Sequence, residues 1–167
     1  MIALVVMLVV ALFFIGIVNR TKSLLGGRVG PGLFQHIHDV VRLFRKGAVI
    51  STTSSIVFRL APTISFVAIL MACTLIPFGT QPALLPFQYD VVAFAYLLAL
   101  SRFVMILAAL DTGSPFEGMG ANREGIYGML VEPAFFVVFG SLAILTGHTS
   151  FTELFSTLHV GSGGVSI

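Results

Sequence analysis

Residues 91–110 read VVAFAYLLALSRFVMILAAL, an apolar run of twenty residues broken only by Ser101 and Arg102. Crossing a bilayer as an α-helix takes roughly 17–25 such residues. A helix of a soluble domain would show polar residues at helical spacing along one face, and this stretch shows none. Working outward, three further blocks have the same character. Residues Ile2 to Val18 carry no charge, Leu60 to Ile76 are bounded by Pro62 and Pro77, and Gly125 to Gly147 are interrupted by Glu132 and Pro133. Apolar residues make up 57% of the 167-residue chain and charged ones 10%, too little polar surface to keep a soluble domain in solution. The reading is an all-α membrane protein of about four transmembrane helices, residues 1–167 forming a single membrane domain. No basic residue precedes the first block and no small-x-small cleavage pattern follows it, so it reads as a span and not a signal peptide. The tail from His148 to Ile167 is rich in Thr, Ser and Gly and reads as polar chain without a span of its own.

The cations set an orientation. Arg20, Lys22, Arg28, Arg42, Arg45, Lys46 and Arg59 lie between or beside the first two blocks, whereas the Phe78–Asp90 connection has none. By the positive-inside rule the first loop is cytoplasmic and the amino terminus outside. The Asp111–Glu124 connection then lies inside and the tail outside.

That first loop contains an element of its own. Advancing about 100° per residue from Leu33 places Leu33, Ile37, Val40, Val41 and Phe44 on one face. Gln35, His38, Asp39, Arg42, Arg45 and Lys46 fall opposite. The pattern predicts an amphipathic helix over about 32–46, entered through the Gly30-Pro31-Gly32 turn. Such a helix lies on anionic lipid or docks a peripheral subunit, and the pattern fits both. His36 and His38 project in different directions and make a poor metal pair, and Cys73 has no second cysteine, so no metal site is expected in this chain. Nothing in the charge pattern points to nucleic acid.

Two charges sit within the spans. Arg102 lies nine residues before Asp111, and Glu132 nine after Arg123. Both are therefore roughly 13–14 Å from the cytoplasmic edge of their helices. A charge at such depth costs roughly 2.5–3.5 kcal/mol on insertion scales and usually faces protein or water. Antiparallel neighbours with opposite charges at matching depth predict that Arg102 and Glu132 face each other or share a hydrated pocket. They could form a structural ion pair or a proton site. Pro133 removes a backbone donor and frees the carbonyl of Met129, which is expected to loosen the helix beside the carboxylate. Asp111, Arg123 and Glu124 at the mouth of this helix pair could feed protons to Glu132, whereas Glu117 reads as an ordinary loop charge. Gly113, Gly118, Gly120 and Gly125 predict tight turns there.

The run GRVGPGLFQHIHDVVRLFRKG from Gly27 resembles the first cytoplasmic loop of the subunit-1 family of respiratory complex I, with Gly30-Pro31, Gln35 and Asp39 at the family's positions. LDTGSPFEGMGANREGIYGMLVEP, from Leu110 to Pro133, resembles more closely the membrane subunit of group 4 NiFe hydrogenases, the formate hydrogenlyase and hydrogenase-4 type. The resemblance implies a core membrane subunit, in a bacterial or archaeal inner membrane, linking a peripheral redox arm to proton or sodium movement. It implies that Glu132 lies in the proton path, and that Gln35, His38, Asp39, Arg42, Arg45 and Lys46 dock the peripheral arm. Cofactors, iron–sulfur clusters and a nickel–iron centre, would then reside in partner subunits and none in this chain. The implied partners are peripheral hydrogenase or iron–sulfur subunits, antiporter-like membrane subunits and the lipid bilayer. Family members continue beyond four helices, so the chain corresponds to the N-terminal half. Gln35-His36 stands where complex I members commonly have Gln-Pro, which points away from the quinone-site subunit of NADH-quinone oxidoreductase. That subunit is the alternative within the family. A small transporter fragment and a structural anchor are alternatives outside it.

Overall fold

The computed structural model describes residues 2–47, 49–78 and 82–163, which fall into two compact units, Met1–Val49 and Ile50–Ile167. The described elements are all helical: α1 (Ile2–Leu25), α2 (Gln35–Phe44), α3 (Ile56–Leu75), α4 (Asp90–Asp111), α5 (Pro115–Thr146) and α6 (Phe151–Gly163). Helices α1, α3, α4 and α5 are long and apolar enough to cross a membrane.

In the first unit, α1 runs past the expected end at Val18 and takes in Arg20 and Lys22. Long basic side chains near a span's end can keep their charges in the headgroup layer while their stems stay in apolar surroundings. The helix stops at Gly26 and Gly27, the latter at φ +65°, where its amide bonds back to the Leu24 carbonyl. The chain then returns across Gly16, passing so near that a side chain there would collide with the Leu33 carbonyl. Helix α2 is shorter than the expected 32–46 but has the expected two faces. Of the predicted apolar face, Ile37 and Val40 are half-buried while Leu33, Val41 and Phe44 are exposed in this chain; Phe34 meets Phe13 edge-on at 5.6 Å, and Gln35, His38, Asp39 and Arg42 are exposed, as are Arg45 and Lys46 just beyond its end.

In the second unit α4 is central, with α3 packed on one side and α5 on the other. Small residues allow the α3–α4 approach. Ala61, Ser65, Ala68 and Ala72 line α3, and Ser101, Val104 and Ala108 line α4, all buried. Lipid tails are as apolar as leucine, so close van der Waals packing and buried hydrogen bonds hold such pairs. Here Ser65 Oγ and Ser101 Oγ lie 2.7 Å apart. Ser55 caps α3 with its hydroxyl on the Val57 amide, so the helix starts four residues before Leu60 and takes in Arg59 and Pro62.

Two expectations need correction. The Asp111–Glu124 connection is mostly helix, because α5 begins at Pro115, which is pre-set for a first helical position, with Glu117 in the first turn. Gly118, Gly120 and Gly125 are thus helical; only Gly113, at φ +69°, makes a turn. The tail, read as polar chain, carries α6. Phe151 and Leu154, one turn apart, are buried with Val91 and pack against Phe94, Phe135, Phe139 and Leu142. Ring centroids of Phe151 stand 5.4 Å from Phe94 and 5.3 Å from Phe139, both edge-on. At 13 residues α6 is too short to span. Residues 164–167 of the predicted tail lie outside the described residues.

Candidate functional site: an arginine between two carboxylates

The two halves of the Ser101-Arg102 interruption face opposite neighbours. Ser101 bonds to α3, and Arg102, on the next residue of α4, reaches α5. Its Nε lies 3.2 Å from Glu124 Oε1 and its Nη1 3.5 Å from Glu132 Oε1. Glu124 and Glu132 are eight residues apart, two turns plus about 80°, so both carboxylates occupy one face of α5 and one guanidinium reaches both. Gly128 stands midway, four residues from each, and is buried under the arginine.

Arg102 is the most enclosed of the three, with 27% of its side chain exposed against 55% for Glu124 and 45% for Glu132. A pocket of about 50 Å³ opens beside the Glu132 contact, lined by Ala95, Leu98, Ala99, Val131 and Phe135 with the two charged residues. That volume is room for a few water molecules, and its lining is apolar apart from Arg102 and Glu132. Helix α5 continues across Pro133 up to Thr146. Proline has no N–H, so the Met129 carbonyl one turn earlier has no helical partner there.

The other acids at this end are placed differently. Asp111 is not part of the cluster: its Oδ2 accepts the Ser55 amide at 2.7 Å, tying the end of α4 to the start of α3. Arg123 and Glu117 are exposed. In the first unit, Arg42, Arg45, Lys46, Asp39 and Leu43 line an open basic groove on α2, and His38 Nδ1 is taken up by the Phe34 carbonyl at 2.9 Å.

Sequence reasoning paired Arg102 with Glu132 but left Glu124 at the helix mouth and passed over Gly128 and Asp90. The first two were legible as the series 124, 128, 132, which is one face of a helix once α5 is known to begin at Pro115. Asp90 is fully buried, and its two oxygens accept Ser150 Oγ at 2.8 Å and the Phe151 amide at 2.7 Å. It caps α6 from another helix, a partnership some sixty residues apart in the chain that no local pattern announces.

A family profile described as NADH dehydrogenase matches residues 1–160. The chain belongs to the NADH dehydrogenase family. Among its relatives, hydrogenase-4 component C of Escherichia coli K12 is 35% identical over 157 residues, 94% of this chain and 50% of that protein. Formate hydrogenlyase subunit 4 of the same organism is 34% identical over 154 residues, 92% of this chain and 50% of that protein. An NADH-quinone oxidoreductase subunit of Rickettsia africae is 31% identical over 128 residues, 75% of this chain and 38% of that protein. The chain thus spans about half the length of the hydrogenase relatives it matches. The expected family resemblance is thus met, with hydrogenase-type and NADH-quinone oxidoreductase proteins both among the relatives.

Proposed function

We propose that this chain is a core membrane subunit of a hydrogenase-type, complex I-like oxidoreductase, and that it helps couple redox turnover in a peripheral arm to proton or sodium movement. The observation that carries this reading is Arg102 held between Glu124 and Glu132, at 3.2 and 3.5 Å, on facing apolar helices. A lone cation with one carboxylate would be a lock. A cation with two acceptors has two partners to choose between, and Glu132 beside a small pocket is the one placed to take up and release a proton. The identities to hydrogenase-4 component C and formate hydrogenlyase subunit 4, over nearly the whole chain, favour the hydrogenase branch.

In this reading the protein sits in the inner membrane with its first loop cytoplasmic, and α2 offers Gln35, His38, Asp39, Arg42, Arg45 and Lys46 to peripheral hydrogenase or iron–sulfur subunits. Those subunits carry the iron–sulfur and nickel–iron centres, and antiporter-like membrane subunits complete the ion path. Glu132→Gln keeps the size and loses the charge. We expect the complex to assemble while proton movement into inverted membrane vesicles is abolished; unchanged acidification would refute the reading. A second reading, the quinone-site subunit, has its own observation. Asn19, Gln35, His36 and Asp39 line a pocket of about 170 Å³ with Gly16, Pro31 and Gly32, and offer polar atoms to a quinone carbonyl. Saturable quinone-analogue binding that Gln35→Ala removes would favour it.

A further inference from the structure

We propose that Gly128 is a positioning residue that seats the Arg102 guanidinium, so that the absence of a side chain at this point of α5 is what lets one arginine touch both carboxylates. The proposal rests on the coupling role given above to Arg102 and Glu132, and deepens it.

Gly128 lies in the interior of a 32-residue helix, where glycine is otherwise an unfavourable choice because of its freedom in the unfolded chain. Nothing in its backbone requires it, since it is not among the positive-φ glycines. The reason is space. A Cβ at position 128 would lie 2.8 Å from Arg102 Nη1, 3.2 Å from its Cδ and 3.7 Å from its Cζ. By contrast, a Cβ at Gly118, Gly120, Gly125 or Gly140 of the same helix would meet nothing within 4 Å. Gly128 is also one of only two buried residues among those described on α5.

The atom that a methyl group would displace first is Nη1, the one that reaches Glu132, while Nε carries the contact to Glu124. A methyl at 128 therefore acts on one half of the bridge. The side chain is flexible and can move away, so the helix survives, but the guanidinium leaves the Glu132 carboxylate. Gly128→Ala is in effect a way of separating Arg102 from Glu132 without altering the charge of any residue.

The test uses the intact complex in inverted membrane vesicles, with acidification measured per turnover and assembly checked on native gels. Gly128→Ala should assemble and turn over, with acidification per turnover lowered on the order of fivefold, as the loss of one partly exposed ion pair would give. Gly125→Ala, which adds the same methyl in open space, should behave as wild type. In an Arg102→Ala background the added Gly128→Ala should have no further effect, because the group it displaces is gone. Wild-type coupling in Gly128→Ala, or a further loss in the double variant, would overturn the proposal. Should Gly128→Ala fail to assemble, recovery of assembly in Gly128→Ala/Arg102→Ala supports it and continued failure overturns it. Full acidification in Glu132→Gln would instead refute the coupling role itself, whatever Gly128→Ala does.

Discussion

Asp90→Ala removes the fully buried carboxylate that ties the start of α4 to the start of α6. Two hydrogen bonds are lost, from Ser150 Oγ at 2.8 Å and from the Phe151 amide at 2.7 Å. Hydrogen bonds to a charged group contribute about 1.5–3 kcal/mol each, so the pair is worth roughly 3–6 kcal/mol. Ser150 and Phe151 are both buried, Phe151 within the phenylalanine cluster, so bulk water does not reach the two donors left behind. The loss is a large part of the 5–15 kcal/mol typical of a whole domain, so α6 should detach before the rest of the molecule unfolds. Asp90→Asn keeps an oxygen for the Phe151 amide and offers an N–H to the serine, and should lose about 1–2 kcal/mol. Hydrogen exchange in detergent micelles reads this directly. Amides at the start of α6 should lose roughly two to four orders of magnitude of protection in Asp90→Ala, and about one in Asp90→Asn, while the α3–α4 amides keep theirs. Equal protection in wild type and Asp90→Ala would show that the aromatic cluster alone holds α6.

The Ser65–Ser101 pair gives a contrasting case. Ser65→Ala leaves Ser101 buried without its partner and should lower the thermal midpoint by the equivalent of about 1 kcal/mol, whereas Ser65→Ala/Ser101→Ala should lower it no further, since no unmatched hydroxyl remains. On α2, replacing Arg42, Arg45 and Lys46 with Gln removes three exposed cations from the groove. On the docking proposed above, peripheral subunits should then wash off membranes at lower salt than from wild type, as a screened electrostatic contact requires; an unchanged release point would refute docking through this groove.

The four spans were legible because lipid selects long uninterrupted apolar runs, and the α2 helix because its two faces separate so sharply. Helix ends were less so. Hydropathy sees Arg20 and Lys22 as the end of a span, but hydrogen bonding carries α1 on to Leu25. Gly118, Gly120 and Gly125 looked like turns because glycine is weak in helices, yet Pro115 and Glu117 start α5 ahead of them. Once that helix is drawn from Pro115, the cluster changes from a pair into a bridge. Depth matching found the Arg102–Glu132 partnership, since charge at equal depth on antiparallel neighbours has few other places to go. It could not find Glu124, which a loop would have left in water.

The energy of the bridge argues against a merely structural role. Glu124 and Glu132 keep 55% and 45% of their side chains exposed, so the contacts of 3.2 and 3.5 Å to Arg102 are screened and contribute about 1 kcal/mol each, and the two carboxylates, drawn onto one guanidinium, repel each other. Against that stands the insertion of Arg102 and Glu132 at about 2.5–3.5 kcal/mol each, Glu124 lying beside Arg123 at the helix mouth. The contacts do not offset the insertion. A lock between helices would be made more cheaply by small residues and hydroxyls, as Ala61, Ser65, Ala68 and Ser101 do between α3 and α4. Charges that cost more to insert than their contacts return call for a role that a lock does not fill.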